Sequence, residues 1–181
     1  MPKEIDLIRL AKKGDTKAFK QLVEQHEQQV RATVLGMLGD TAEVKEVAQE
    51  VFIRFYKAIN EFKGEAALGT YLTRIAINLS LNEIKRRKNK RRWMTSIATE
   101  DIPTRADRST NPERYDNKEA IYKMLNLLEP AFKSVIVLRL IDGYSVKETA
   151  EILEIPQGTI ASRLSRAQTR LKEIAKEMGM I

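Results

Sequence analysis

Apolar residues along this chain recur every three to four positions, the period of a helix with one buried face, and the two-residue alternation of a half-buried strand is scarce. The pattern predicts an all-α protein. Asp15 stands as an N-cap before a helix carrying Phe19, Leu22 and Val23. Asp40 and Glu43 have capping-box spacing at the head of a second helix, roughly 41–60, whose apolar stripe is Val44, Val47, Ala48, Val51, Phe55 and Ile59. Gly64 marks the loop that follows, and a third helix runs from about Ala66 into a basic tract. Between Met94 and Tyr115 the periodicity stops. Pro103, Pro112 and several Ser and Thr residues there predict a flexible linker, 94–115, between helical domains at 1–93 and 116–181. Each is short, but a helical bundle of that size can fold alone.

In the second domain Pro130 fits the first turn of a helix through Leu140, with Gly143 as its stop. Ser145 and Glu148 form a capping box for a short helix through Leu153; Glu154 and Ile155 make a turn, and Pro156 opens the last helix. Two helices joined by so short a turn predict a helix-turn-helix, with Ala150 small enough for close approach and Leu153, Ile155, Ile160 and Leu164 holding the pair at an angle. At 100° per residue Ile160, Leu164, Ala167, Leu171 and Ile174 share one face of the last helix. Thr159, Ser162, Arg163, Arg166, Thr169 and Arg170 share the other, which holds no carboxylate. Arginines can bind guanine bidentately, and hydroxyls reach phosphates or bases, so this face suits the major groove. A solvated polar face is the alternative, and the motif by itself does not separate one class of DNA-binding regulator from another.

The third helix carries apolar residues on two nearly opposite sides: Leu68, Leu72, Ile75, Ala76 and Leu79, then Ile77, Leu81 and Ile84. That implies a helix well packed within its own domain. Between them runs a stripe of Tyr71, Arg74, Asn78, Asn82 and Lys85, groups that stack on bases, read base edges and hold phosphates. It leads into Lys85-Arg86-Arg87-Lys88-Asn89-Lys90-Arg91-Arg92, where seven of eight residues are cationic and a polyanion would relieve their repulsion. Trp93 reads equally as a base-stacking or a packing residue. On helix 41–60 the polar side offers Glu43, Glu46, Gln49 and Glu50, with Ile53 beside them. Like charges three or four residues apart repel by a few tenths of a kcal/mol per pair. Such a patch points to a basic protein partner or to solvent.

Composition narrows the classes. The formal net charge is +7, and residues 1–93 alone carry a net +7, against −1 for 94–115 and +1 for 116–181. The excess favours a polyanionic partner, and the second domain should bind DNA weakly by itself. The chain has no cysteine, which excludes disulfides and thiolate metal sites and suits the cytoplasm. No apolar run reaches membrane-spanning length, so no membrane insertion is expected, and no signal peptide is read at the N-terminus. His26 is the sole histidine and reads as a helix-face residue. No phosphate loop, metal-ligand cluster or nucleophile–base pair is visible, so an enzyme is not expected, and no cofactor.

The strings "VLRLIDGYS", "ETAEILEIPQGTI" and "SRLSRAQTRL" resemble the promoter-binding region 4 of bacterial sigma factors. "FKGEAALGTYLTRIAINLSLNEIKRR" resembles the strand-melting regions of extracytoplasmic-function (ECF) members of the sigma-70 family, and "TAEVKEVAQEVFIRFYKAI" their polymerase-docking helix. The likeness covers essentially the whole chain in order, and nothing between the halves resembles the larger members' region 3. It implies a helical region 2 bundle and a region 4 helix-turn-helix that direct core RNA polymerase to promoter DNA, with an anti-sigma factor as a further partner and an envelope or environmental signal upstream. By position it implies polymerase contacts at Glu46, Gln49, Glu50, Ile53 and Arg54. It implies downstream-element contacts at Phe62, Lys63, Tyr71, Arg74, Asn78 and Asn82, to which the stripe adds Lys85. For the upstream element it implies Ala161, Ser162, Arg163, Ser165 and Arg166, to which the helix face adds Thr159. The chain departs from the family's usual residues at Tyr71 (Trp), Asn82 (Asp), Glu154 (Gly), Ala161 (Lys or Arg) and Gln168 (Arg). The chief alternative is a stand-alone helix-turn-helix regulator that binds duplex DNA without polymerase.

Overall fold

The computed structural model describes residues 3–97 and 117–181, and among them every regular element is helical. Residues 98–116, which take in most of the expected linker at 94–115, lie outside the described residues, while 94–97 are helical and continue the helix before them. The first half holds four helices. α1 (Glu4–Lys12) is not evident from the opening residues, yet Leu7 and Ala11 fall one turn apart and are both buried. His26 ties it to the next helix through a 2.7 Å contact between Nε2 and Glu4 Oε1. α2 (Thr16–Leu38) begins where Asp15 accepts from the Lys17 and Ala18 amides at 2.9 and 3.1 Å, satisfying two of its free N–H groups. It ends at Gly39, with φ +73. That backbone conformation is what requires glycine; a Cβ there would also sit 2.4 Å from Asn126 Nδ2, the movable end of an exposed side chain.

α3 (Glu43–Ala58) departs from expectation at its start. Its cap position is Ala42, with no side-chain cap, so Asp40 and Glu43 do not form the capping box that their spacing suggested. Glu43 is drawn away by Arg87, whose Nη2 lies 2.9 Å from its Oε2 and 2.9 Å from Thr41 Oγ1. α4 (Leu68–Ile97) is a single 30-residue helix that carries the basic tract. Leu22, Val34, Val51, Phe55, Leu68 and Leu72 form the centre of the core that these helices share.

The second half is α5 (Asn117–Asn126), α6 (Pro130–Ile136), a π-helical turn (Val137–Ile141), α7 (Val146–Leu153) and α8 (Gln157–Glu177). Pro130 occupies the first turn of α6 as expected. The straight helix predicted through Leu140 instead widens into the π turn, which closes on itself through Asp142 N to Val137 O at 2.9 Å. The capping box at α7 is complete: Glu148 N donates to Ser145 Oγ at 3.2 Å and Ser145 N to Glu148 Oε2 at 2.8 Å. Val135, Ala150 and Ile160 are the buried centre of the helix-turn-helix, with Leu153, Ile155 and Leu164 packed against them. Ile160, Ala167 and Ile174 are fully buried, so the predicted apolar face of α8 is the one that packs.

The two halves pack on each other. Met37 and Ile77 of the first bury with Val137, Leu138 and Ile152 of the second. Ile77 and Leu81 of the second apolar side of α4 therefore serve the seam between the halves, while Ile84 packs against both the seam and the first half's own core. Gly36 permits the approach, because a Cβ there would lie 3.0 Å from Val137 Cγ2. Polar groups complete the contact. Tyr144 Oη accepts from Gln29 Nε2 at 2.6 Å and pairs with Thr73 Oγ1 at 2.9 Å, while Thr33 Oγ1 donates to Asp142 at 2.8 Å.

Candidate nucleic-acid interface

α8 presents Ala161, Ser162, Ser165 and Arg166 to solvent, with Thr159 and Arg163 half-buried beside them. Two hydroxyls turn back on the helix: Ser162 Oγ donates to Thr159 O at 3.0 Å and Thr169 Oγ1 to Ser165 O at 3.2 Å. Arg170 is held by Glu173 and Glu177 at 2.9 and 3.3 Å. Arg163 and Arg166 have no ion-pair partner among the described residues, so the cations at the start of the face are the available ones. The turn before α8 places Glu154 in the left-handed region, φ 55. This conformation costs a residue with a Cβ roughly 1–2 kcal/mol and would suit a glycine.

On α4 the stripe is arranged by depth. Asn78, Asn82 and Lys85 are exposed, Tyr71 and Arg74 half-buried. Phe62 is not on the surface. It is 7% exposed and packs against Tyr71 and Phe55 with ring centroids 5.0 and 6.0 Å away. Its carbonyl accepts from Lys12 Nζ at 2.6 Å. In this arrangement Phe62 seats Tyr71, while Lys63 beside it is exposed. Arg74 faces the second half: Nη2 donates to Glu151 O at 2.8 Å and Nη1 lies 3.6 Å from Glu154 Oε1. Glu151 O belongs to the last turn of α7, where free carbonyls and the helix dipole favour a cation. Arg74 Nε is buried with no acceptor, so the arrangement leaves that guanidinium incompletely satisfied.

The basic tract is partly neutralised. Glu83 receives Arg86 at 2.7 Å and Arg87 at 3.0 Å, and the bond from Arg86 holds its carboxyl below the usual range despite burial. Glu43 is also lowered, first by backbone and Thr41 hydrogen bonds and further by the Arg87 charge. Trp93 is 67% exposed at the far end of the helix.

α3 shows a different surface. Glu46, Gln49, Ile53 and Arg54 are exposed and Glu50 half-buried, with Arg54 Nε 3.0 Å from Glu50 Oε1. Arg87 takes Glu43 and Arg54 takes Glu50, so the patch is less acidic than its residues suggest, and Ile53 gives it an apolar centre, 47% exposed. A groove of about 1160 Å³ flanks it, lined by Val44, Gln49 and Phe52 on one side and Tyr122 of α5 on the other.

The residues that sequence reasoning did not single out are those of the seam: Gln29, Thr33, Lys133 and Asp142. Asp142 and Tyr144 stood in the string "VLRLIDGYS" without a role. Gln29, Thr33 and Lys133 are single polar residues on helices, Asp142 and Tyr144 lie in the loop before α7, and no local pattern marks any of them. Burial pushes the Asp142 carboxyl up to about 6 against the opposing Thr33 hydrogen bond, and raises the Tyr144 phenol as well. Burial, with the Arg87 charge nearby, pushes the Lys133 ammonium down to about 8.

Comparison with known proteins agrees with this architecture. Residues 22–90 match the family Sigma-70 region 2, and residues 118–171 match Sigma-70, region 4. The ECF RNA polymerase sigma-E factor of Escherichia coli K12 is 31% identical over 170 residues, covering 90% of this chain and 88% of the relative. The RNA polymerase sigma-H factor of Pseudomonas aeruginosa is 30% identical over 171 residues with the same coverage. Among solved structures, CnrH in complex with the cytosolic domain of CnrY superposes with a TM-score of 0.71 at 22% identity, over 94% of this chain and 96% of that one. The sigma factor RpoE in complex with the anti-sigma factor NepR, from Bartonella quintana, gives 0.70 at 24% identity, over 89% and 98%. The structural likenesses speak for the fold, and the sequence relatives for the lineage. The chain belongs to the ECF group of sigma-70-family RNA polymerase sigma factors.

Proposed function

We propose that this sigma factor works as a two-state chain: closed when free, and opened on core RNA polymerase to reach promoter DNA. The observation that carries this reading is the position of Arg74, held by the last turn of α7 and by Glu154 in the turn of the helix-turn-helix. A stripe meant for bases is thereby partly covered by the module meant for the upstream duplex. In the open state the exposed side of α3, from Glu46 to Arg54, docks on polymerase. Arg163 and Arg166 of α8 lie on the upstream element. Tyr71, seated on Phe62, stacks on an unpaired base, with Arg74, Asn78, Asn82 and Lys85 along the strand. Each stacked base contributes about 1–3 kcal/mol, so strand opening is driven by binding and needs no catalytic residue.

The expected linker boundaries, 94–115, support the opening. Residues 94–97 of that segment continue α4, and the rest, 98–115, would reach about 60–65 Å if extended, close to the roughly 70 Å between promoter elements two helical turns apart. A protein that masks the DNA surfaces fits the same two-state logic, and the anti-sigma factor bound to the RpoE relative supports that class of partner here. The cytoplasm follows as the working compartment. Among the described residues no helix is long and apolar enough to cross a membrane.

Run-off transcription with purified core polymerase on a genomic promoter library tests the reading. The expected result is a defined promoter set that appears only when the chain is added. Tight, sequence-specific binding of the free chain to duplex DNA, with no change in polymerase selectivity, would instead favour the stand-alone regulator.

A further inference from the structure

A second groove, of about 910 Å³, lies where the basic end of α4 meets the second half. Met37, Leu38 and Ile84 give it an apolar floor, and Arg87, Lys88, Arg91, Arg92 and Lys133 give it its charge. No carboxylate lines it. Arg87 is already engaged by Glu43 and Glu83. Lys88, Arg92 and Lys133 have no ion-pair partner among the described residues.

Lys133 is the unusual member. It is 5% exposed, on α6, and its Nζ donates to Met37 O across the seam at 3.2 Å and to Asn126 Oδ1 at 2.9 Å. Both acceptors are neutral. A buried ammonium without a counter-charge is costly, and burial accordingly depresses its pKa to about 8. The groove to which it contributes is large enough for a nucleotide-sized molecule.

We propose that this groove binds a small oligophosphate, either free inorganic polyphosphate or the phosphate chain of a nucleotide, and that the ligand ties the two halves together. Adjacent phosphates meet Lys133 from one half and Lys88 and Arg92 from the other, so the site is complete only in the closed chain. The inference rests on the closed arrangement above and adds a ligand that would hold it. The shared chemistry is a run of negatively charged oxygens; a nucleoside, if one is attached, would rest against Ile84, since Met37 and Leu38 are 0% and 2% exposed. Lys133 is only 5% exposed, so a short flexible phosphate chain reaches it more readily than the phosphates of a rigid duplex.

The test is calorimetric titration of the full chain, without polymerase, with inorganic tripolyphosphate and separately with ATP. It is run at pH 8 in two buffers of different ionisation enthalpy. One oligophosphate per chain is expected, with net proton uptake, because burial holds the Lys133 ammonium down at about 8 and adjacent phosphate favours its charged form. Lys133→Met should weaken binding by roughly tenfold or more and abolish the uptake. Asn126→Asp, which sets a carboxylate against Lys133, should weaken binding similarly and is nearly isosteric, should the first variant fail to fold. Tighter binding of ATP than of tripolyphosphate assigns the floor to a nucleoside, and equal binding assigns the site to phosphate alone. No binding, or binding that both variants leave intact, overturns the proposal. Because polymerase is absent, failure here leaves promoter selectivity untouched, and failure of the run-off assay leaves this binding untouched.

Discussion

Replacing Tyr144 with Phe should open the chain. The hydroxyl lies 2.6 Å from Gln29 Nε2 and 2.9 Å from Thr73 Oγ1, and both partners belong to the other half. Two hydrogen bonds contribute about 1–3 kcal/mol net. Part is recovered, because Gln29 Nε2 keeps Thr73 Oγ1 at 3.3 Å. The ring itself stays, so its packing against the seam is preserved. About 1–2 kcal/mol should therefore leave the closed state, shifting the closed-to-open ratio by roughly 5–30-fold. The chain lacks cysteine, so Glu61→Cys and Lys172→Cys, both at exposed positions in different halves, give clean sites for a spin-label pair. Pulsed-EPR distances should broaden and lengthen in Tyr144→Phe. Apparent affinity for core polymerase should rise by up to the same factor, saturating once the open state dominates. An unchanged distance distribution with unchanged polymerase affinity would refute the idea that these hydroxyl contacts hold the halves together.

Closure should also depend on pH in both directions. Asp142, raised to about 6 in the closed chain and faced by Thr33 and Tyr144, stabilises closure below its ordinary value near 3.8, and that contribution is lost as pH rises through 6. Lys133, lowered to about 8 beside Arg87, disfavours closure while charged, so closure strengthens as pH rises through 8. The same spin-label pair should therefore report its weakest closure between about 6 and 8, and Asp142→Asn should remove the acid limb only. Glu154→Gly should stabilise the helix-turn-helix by about 1 kcal/mol, read from urea melting, by relieving the left-handed residue. The lost contact to Arg74 is a solvent-exposed one, with Glu154 75% exposed, and should offset little of this. Arg166→Ala should cost about 1–3 kcal/mol at the upstream element if the side chain reads a base, and unchanged promoter choice in run-off transcription would count against that role.

What the sequence determined by itself was local. The caps at Asp15 and Ser145, the proline at the head of α6, the turn before α8 and the amphipathic face from Ile160 to Ile174 depend on residues within one or two turns of each other, and all are legible in order along the chain. The stripe on α4 and the exposed side of α3 were legible for the same reason. What only the tertiary structure decided was non-local. Glu43 left its expected cap because Arg87, 44 residues away, offered a stronger partner. Ile77 and Leu81 look like an interior face in sequence, yet they bury with residues of the other half across the seam. Periodicity records that a face is apolar, never what covers it. Nothing local in the sequence marks Lys133 or Asp142; packing takes their water away, and only the folded chain supplies that desolvation.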